Sequence, residues 1–414
     1  MKRLFRILGV VAGILLIIGA VGYFTLVPRP LGAPDMVTSK AELEAYLDDL
    51  TQHNADSPPG LSLVVVKDGE IVYENAFGFA DHVRNITASS DTVYQYWSLS
   101  KPFTAVAILQ LSEQGLLDLN DPVSDYLPYF EVQYPSESSE IITIRHLLNH
   151  SSGIRNNVPE VVGWIHFDGD DEWDQNVLFE SKLPDYAKLT YEPGSQGIYT
   201  NVGYLALAAL IESVSGQSYQ DYMLENIFKP LDMQHTSTSY SDEMIANEAS
   251  GAHPRIDLQT MLLPLIIDDT KRLIREQKNG ILWFNHVYSD QKGATGIIGS
   301  PSDLANFMMA YLNEGEWNGS RILTSESIAM MTNEWQVAAG KTPETSPYKN
   351  VAHGLGWFVI SEESRSYLGH RGGGPGFATG IRLYPEENLG IVMMSNGTYT
   401  PTVDILDLVA SLQW

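Results

Sequence analysis

The chain of 414 residues contains no cysteine, which excludes disulfides, thiolate metal sites, a cysteine nucleophile and a lipid-modified cysteine anchor. Basic residues are also scarce: 25 Lys and Arg stand against 51 Asp and Glu and leave a formal net charge of −26. An acidic surface repels nucleic-acid phosphates and anionic lipid. We therefore expect no nucleic-acid partner and interpret the negative charge as a solvated surface.

Several motifs of enzyme chemistry are absent as well. No Gly-x-Ser-x-Gly occurs, so the nucleophile elbow of α/β-hydrolases is excluded. Walker A and Gly-x-Gly-x-x-Gly loops do not appear between a predicted strand and a predicted helix. His146 and His150 have the spacing of two metal ligands on a helix, but the sequence offers no His-Glu-x-x-His and no obvious third ligand. We interpret both as structural and expect neither a metal nor a cofactor.

The amino terminus carries a long apolar run. Lys2, Arg3 and Arg6 precede residues 7–27, in which Thr25 is the one interruption. A helix of this length crosses roughly 30 Å, the thickness of the hydrocarbon core of a bilayer, and the cations favour a cytoplasmic start. Residues 1–27 are therefore predicted to anchor the protein in a membrane with its catalytic part outside the cytoplasm. A cleaved signal peptide, and hence a secreted protein, is the alternative.

The rest of the chain is predicted to form a linker and one folded unit. Residues 28–40 contain three prolines, which is typical of a stiff linker. From residue 41, strand-like segments lie near both ends of the chain and helix-like segments lie between them. This order predicts an α+β fold over residues 41–414. Both chain ends (about 41–97 and 296–414) form an antiparallel sheet flanked by helices, and a mostly helical region (about 98–295) is inserted between them.

One stretch has the composition of a nucleophile and its base. Ser98 lies just before the apolar, helix-like run 105–111, and Lys101 follows it by three residues. Residues three apart on a helix are neighbours, with roughly 5–6 Å between Cβ atoms. A serine hydroxyl needs an adjacent base, and the helix amino terminus stabilises an oxyanion. On its own, Ser-x-x-Lys is weak evidence, because most matches are a helix cap followed by a surface lysine.

Two further motifs are also ordinary when taken singly. Tyr199-Thr200-Asn201 stands at the head of a predicted helix, where Asn201 suits an N-cap and Tyr199 a core aromatic. His370-Arg371-Gly372-Gly373 ends a predicted strand, and its glycines indicate either a close approach of the backbone to a ligand or a loose turn.

The three motifs together, in this order, resemble those of the serine β-lactamases and penicillin-recognising peptidases. The branch with Tyr-x-Asn in second place, which holds the class C β-lactamases and D-Ala-D-Ala carboxypeptidases, is the most similar. Residues 146–153, 230–233 and 296–304 also look like that family, and the resemblance runs from about residue 40 to the end. It implies a β-lactamase/transpeptidase-like fold.

The resemblance also implies roles for individual residues. Ser98 would attack a carbonyl carbon, and Lys101 with Tyr199 would move its proton. A charged His370 beside Lys101 would favour loss of the Tyr199 proton. Asn201 would bind Lys101 and a substrate amide, and the N–H of Gly373 would join that of Ser98 in the oxyanion hole. The expected substrate-binding and oxyanion residues are Asn201, His370, Gly372, Gly373 and Asn157.

The implied activity is extracytoplasmic hydrolysis through an acyl-enzyme. The expected substrates are a D-peptide, a β-lactam or a related amide or ester, and the expected partners are this substrate and, through residues 7–27, a membrane. His370 replaces the lysine that binds a substrate carboxylate in β-lactamases, which argues against efficient β-lactam hydrolysis. A carboxylesterase acting on small esters is the alternative. A non-hydrolytic sensor of penicillin or cell-wall fragments is the alternative from another class.

Overall fold

The computed structural model describes residues 31–53, 57–155, 164–267, 269–333, 336–342, 345, 348–362 and 365–414. Asn157 and the apolar segment 7–27 lie outside these residues, so the roles predicted for them remain predictions. No helix among the described residues is both long and apolar enough to span a bilayer.

Helices occupy most of the middle of the chain. They are α1 (Lys40–Gln52), α2 (Ser100–Glu113), α3 (Ile144–Leu148), α4 (Gln175–Tyr186), α5 (Asn201–Ser215), α6 (Tyr219–Met223), α7 (Asp242–Ala246), α8 (Leu258–Ile266), α9 (Thr270–Leu273), α10 (Lys292–Thr295), α11 (Pro301–Leu312), α12 (Ser325–Asn333) and α13 (Thr402–Ser411). Single 3-10 turns cover Trp97–Leu99, Val123–Asp125 and Pro385–Glu387, and a π turn, Leu224–Phe228, follows α6.

Strands cluster toward the two ends of the chain. They are β1 (Gly60–Lys67), β2 (Glu70–Asp81), β3 (Ile86–Thr87), β4 (Tyr94–Gln95), β5 (Ile165–His166), β6 (Ala252–Pro254), β7 (Ile274–Lys278), β8 (Ile281–Phe284), β9 (Tyr288–Ser289), β10 (Ile298–Gly299), β11 (Glu316–Trp317), β12 (Ser320–Arg321), β13 (Val337–Ala338), β14 (Val351–His353), β15 (Phe358–Ser361), β16 (Ser366–Gly374), β17 (Phe377–Tyr384) and β18 (Leu389–Ser395).

Both ends of the chain build the main sheet, as the sequence predicts. Within the described residues its strand order is β13-β14-β15-β16-β17-β18-β1-β2-β3, and all neighbours are antiparallel. The amino-terminal strand β1 pairs with β18 from the carboxyl end, with Val64 opposite Val392. Because the two termini meet in the middle of the sheet, the helical region between them packs back onto one of its faces.

The main sheet is buried on both faces, so β1 is mostly apolar and is buried from Gly60 to Val66. Successive residues of a strand point to opposite faces. Leu63 belongs to the cluster that includes α1 and α13, whereas Val64 belongs to the cluster of the inserted helices. The α+β architecture with a β-lactamase/transpeptidase-like arrangement of sheet and helices is confirmed.

Helix α2 runs through the centre of the inserted region. It is buried from Ser100 to Leu111, and a helix that is buried all round carries no polar face. Phe103 stacks on Phe307 of α11 with ring centroids 4.1 Å apart. Gly115 follows the helix with φ +69°, a left-handed conformation that glycine adopts without strain. The burial of α2 fixes the turn that precedes it, which carries Ser98.

The segment from 255 to 292, which shows no clear pattern in the sequence, folds into a small unit. Its strands β7 and β8 pair with each other, and β6, which directly precedes the segment, completes a three-stranded sheet in the order β6-β8-β7. Helix α8 lies beside this sheet. A separate cluster that includes Phe167, Leu273 and Phe284 supports this unit, with Leu263 of α8 packed against it. Helix α8 was unreadable because it is apolar on its exposed side as well as on its packed side.

Candidate active site

Ser98 lies in the 3-10 turn that leads directly into α2. From Thr92 to Leu111 every residue except Ser98 is buried, so its hydroxyl is the accessible group of an otherwise enclosed segment. Trp97, just before it, has φ +51°, which is strained for a bulky side chain. Such strain persists only where the surrounding structure enforces it, and it concentrates at functional sites.

The glycines of β16 allow this strand to press against the Ser98 turn. A Cβ added at Gly374 would lie 2.1 Å from the Trp97 ring. A Cβ added at Gly372 would lie 2.1 Å from the Tyr96 carbonyl oxygen and 3.2 Å from the Ser98 nitrogen. Only glycine permits this approach, which is to the protein's own Ser98 turn; the approach of this backbone to a ligand stays a prediction. Gly373 is exposed, and a Cβ there would have open space around it.

The Lys101 amine contacts Ser98 of its own motif and Asn201 of the second motif. Its Nζ donates to Ser98 Oγ at 3.2 Å, to Asn201 Oδ1 at 2.7 Å and to the Ala294 carbonyl oxygen at 2.9 Å. Lys101 is fully buried, and these contacts fix its amine against the Ser98 hydroxyl. Asn201 is the first residue of α5 and not its N-cap, which is Thr200. Its side chain therefore points to the lysine instead of capping the helix.

Tyr199 completes the cluster from the loop before α5. The Lys101 Nζ lies 4.8 Å from the centroid of the Tyr199 ring, a cation–π distance. The ring is buried and packs against Phe358 at 5.7 Å and against His370 at 6.0 Å between centroids. Ser98, Lys101, Tyr199, Asn201 and the β16 edge thus meet in one place, although they are far apart in the sequence.

His370 carries no charge, contrary to the expectation of a charged imidazole. It is buried, and burial together with the Lys101 ammonium holds its pKa well below the usual value of 6.5. Its Nδ1 lies 3.0 Å from the Arg371 carbonyl oxygen and therefore carries the proton of the neutral ring. The lysine is the cation beside Tyr199, and His370 contributes shape and a neutral ring nitrogen.

His150, interpreted from the sequence as structural, holds both flanks of Tyr199. Its carbonyl oxygen accepts from the Ile198 N–H at 2.9 Å, and its Nδ1 accepts from the Thr200 N–H at 3.2 Å. Its ring packs on Tyr199 at 4.6 Å between centroids. Burial, His353 and Lys101 lower the pKa of His150 well below 6.5, which keeps Nδ1 available as an acceptor. The sequence alone gives no signal for this positioning role.

Replacement of His150 tests this role. We expect His150→Leu to lower kcat about 100-fold, because a shift of about 1 Å in a catalytic group costs that much, and to change KM little. His150→Asn, which keeps an acceptor near the Nδ1 position, restores most of the rate. His146→Leu is the matched control, since His146 is buried in the same segment and its Nδ1 contacts Thr143. Equal losses of kcat in both leucine variants would reduce His150 to a structural residue.

His353 packs against the rings of this cluster, and its burial lowers the stability of the folded state at acidic pH. Neither of its nitrogens has a hydrogen-bond partner within the described part of the chain, and burial lowers its pKa to about 3. Below pH 6.5 the unfolded chain binds a proton here and the folded chain does not, so stability falls as the pH falls. At pH 5 this costs about 2 kcal/mol relative to pH 8.

We expect His353→Leu to remove that part of the pH dependence. Urea unfolding at pH 5 and pH 8 measures it: the loss of unfolding free energy between the two pH values shrinks by about 2 kcal/mol in the variant. The same loss in both proteins would show that His353 titrates normally in the folded state.

Residues 47–413 match the family model described as Beta-lactamase. The chain belongs to the Beta-lactamase family. With a serine hydroxyl in contact with a buried lysine amine, it is a serine hydrolase of the β-lactamase fold. The roles of the individual site residues are predictions that the variants described here test.

Curated relatives are similar over most of the chain. Penicillin-binding protein 4* of Bacillus subtilis (strain 168) is 29% identical over 350 residues, which cover 81% of this chain and 67% of that protein. Protein flp of Staphylococcus aureus (strain MW2) is 28% identical over 361 residues, which cover 85% of this chain and 63% of that protein. The chain therefore spans about two thirds of the length of these relatives.

Solved structures share the fold. The octameric penicillin-binding protein homologue from Pyrococcus abyssi superposes with a TM-score of 0.68 at 25% identity, covering 90% of this chain and 78% of that one. The D-amino acid amidase from Ochrobactrum anthropi SV3, in complex with D-phenylalanine, gives a TM-score of 0.69 at 22% identity and covers 89% and 98%. At this identity, the similarity to the amidase indicates a shared fold and nothing about activity.

Proposed function

We propose that this chain hydrolyses amides and esters through an acyl-enzyme on Ser98, on the outer side of a cytoplasmic membrane. The observation that carries the proposal is the buried Lys101 amine, which lies 3.2 Å from the Ser98 hydroxyl. A hydroxyl beside a lysine–phenol pair in an enclosed site is an arrangement that activates a serine nucleophile, because the ammonium favours the phenolate that takes the proton.

In the proposed reaction, the Ser98 oxygen attacks the carbonyl carbon while its proton passes to the Lys101–Tyr199 pair. The backbone N–H groups of Ser98 and Gly373 stabilise the resulting oxyanion, each donor lowering the barrier by about 3–4 kcal/mol. Collapse of the tetrahedral intermediate breaks the bond to the leaving amine or alcohol, which takes the proton. Water then attacks the acyl-enzyme while the same pair takes its proton. The bond between the carbonyl carbon and Ser98 Oγ breaks, the pair returns the proton to Oγ, and the acid is released.

The neutral His370 favours substrates without a carboxylate next to the scissile bond. A lysine at this position pairs with such a carboxylate, whereas a neutral imidazole gives no ion pair. Because burial and Lys101 both oppose protonation of His370, carboxylate recognition there is weak at neutral pH. Among the substrates of this class, uncharged esters and D-amino acid amides are therefore proposed over D-Ala-D-Ala peptides and β-lactams. A carboxylesterase is the specific form of this proposal.

A substrate panel tests the choice. We expect kcat/KM to be highest for p-nitrophenyl esters, lower for D-phenylalanine amide, and lowest for a D-Ala-D-Ala peptide and nitrocefin. A higher kcat/KM for the last two would reverse the proposed preference for substrates without a carboxylate. Stoichiometric labelling by penicillin with no product from any substrate would indicate a sensor instead of a hydrolase.

The extracytoplasmic location is proposed from the apolar run 7–27 and the cations before it. In a bacterial host, the full chain should be found in the membrane fraction. Protease added to spheroplasts should degrade it from the outside. Resistance to protease in intact spheroplasts, with degradation after lysis, would contradict the proposal.

A further inference from the structure

A cavity of about 690 Å³ lies along the glycine segment of β16. Helix α8 contributes one wall with Leu262, Leu263 and Ile266, and Ile267 follows the helix in the same wall. Val403 at the start of α13 contributes to another wall. Cavities of this size hold small-molecule ligands, and apolar lining favours an apolar part of the ligand. Nothing in the mechanism proposed above uses this space.

Several of the polar groups that line the cavity already have hydrogen-bond partners. Thr379 Oγ1 donates to the Tyr96 carbonyl oxygen at 3.0 Å, and Thr400 Oγ1 donates to the Gly397 carbonyl oxygen at 2.8 Å. His253 Nδ1 lies 2.9 Å from Thr398 Oγ1. Since these groups already have partners, they gain little from a polar ligand. Arg371 and Asp404 also line the cavity, and the aliphatic and aromatic part of the lining attracts hydrocarbon.

The strand segment that lines the cavity is the one that contacts the Ser98 turn. Gly372 and Gly374 line the cavity, and these are the glycines whose close approach to Ser98 and Trp97 was described above. Between them Gly373, also in the lining, has no atom within 4 Å of the position of a Cβ. Gly373 is exposed, so its backbone leaves room for a chain attached to Ser98 to run along the strand toward the apolar space.

Helix α8 separates the cavity from solvent with two different apolar faces. The residues at 262, 263, 266 and 267 line the cavity, whereas Met261 and Leu265 do not and are 76% and 80% exposed. The helix thus offers matched apolar residues that touch the cavity and that face away from it.

We propose that this cavity holds the apolar acyl chain of the substrate, so that the enzyme prefers esters or amides of medium-chain fatty acids to those of acetate. This proposal rests on the proposed function, since it concerns the acyl group that Ser98 accepts. The chain leaves the acylated Ser98 beside Gly373 and lies between α8 and the start of α13. Each buried CH₂ then contributes the free energy of its transfer from water.

A chain-length series tests the proposal with the full chain in lipid vesicles. We expect kcat/KM for p-nitrophenyl octanoate to exceed that for the acetate by about 100-fold, a part of the transfer free energy of six CH₂ groups. Ile266→Asn and Val403→Phe, which act on opposite walls, should lower this ratio about tenfold. Leu265→Asn, on the outer face of the same helix, should leave the ratio unchanged. An equal loss in the Leu265 variant, or no preference in the wild type, would overturn the proposal.

A second measurement does not depend on turnover. In Ser98→Ala protein, a photoreactive diazirine fatty acid should label tryptic peptide 256–271, and Val403→Phe or excess octanoate should suppress that labelling. If the labelling of Ser98→Ala protein is suppressible but the wild type hydrolyses no ester, the cavity stays a fatty-acyl site and the proposed function is rejected. Hydrolysis without chain-length preference and without such labelling would reject the cavity and keep the proposed function.

Discussion

Replacement of Ser98 by alanine is expected to abolish hydrolysis. The acyl-enzyme forms on the Ser98 oxygen, and its removal leaves only binding and the oxyanion donors, so kcat falls by about 10⁴-fold or more. The loss should appear with every substrate that the wild type turns over, since all of them share this step. Steady-state kinetics on the p-nitrophenyl ester with the highest kcat/KM measures it.

Ser112→Ala is the control for this variant. Ser112 belongs to α2, the helix that follows the Ser98 turn, and is half-buried near its far end. We expect its kcat within a factor of about two of the wild type, the scale of a surface change. Retention of more than about a tenth of the wild-type kcat in Ser98→Ala would remove Ser98 from the mechanism.

Removal of the Lys101 amine has the second largest expected effect. In Lys101→Met the side chain keeps nearly the same length and its apolar stem, but Ser98 Oγ loses its contact with Nζ. General-base assistance contributes about 10²–10⁴-fold, so we expect kcat/KM to fall by about 10³-fold. Because Asn201 Oδ1 and the Ala294 carbonyl oxygen also lose a donor, stability falls by about 1–3 kcal/mol as well.

Two measurements separate these effects in the Lys101 variant. Circular dichroism and thermal unfolding establish that the variant is folded at the assay temperature. Lys292→Met is the matched control, because Lys292 is also a buried lysine but pairs with Glu172 at 2.9 Å. A comparable loss of activity in both methionine variants would attribute the effect to lost packing or stability and not to proton transfer.

The sequence predicts the parts of the fold that depend on residues close together in the chain. Asp68 and Gly69, both at positive φ, form the turn between β1 and β2 that the Asp-Gly pair predicts. Gly115 follows α2 in a left-handed conformation, which stops the helix from continuing. The sequence does not predict helix α8, because apolar residues cover its exposed side as well as its packed side and no helical period appears in their pattern.

The candidate active site likewise has features that the sequence predicts and features that it does not. The family motifs identified Ser98, Lys101, Tyr199 and Asn201, which the fold brings together. The neutral state of His370 was not predictable, because it depends on burial and on the lysine that the fold places beside it. The contacts of His150 with the residues flanking Tyr199 join positions about fifty apart in the sequence. The reason for glycine at 374 is equally remote, since the Trp97 ring occupies the space of its side chain.

The central claim is that Ser98 is the nucleophile, and covalent labelling tests it most directly. Full-length protein is treated with a fluorophosphonate, digested, and mapped by mass spectrometry. The account predicts one phosphonate on the Ser98 hydroxyl, with labelling slowed strongly by Lys101→Met. An adduct on another residue, or an unlabelled Ser98 in folded and active protein, would contradict it.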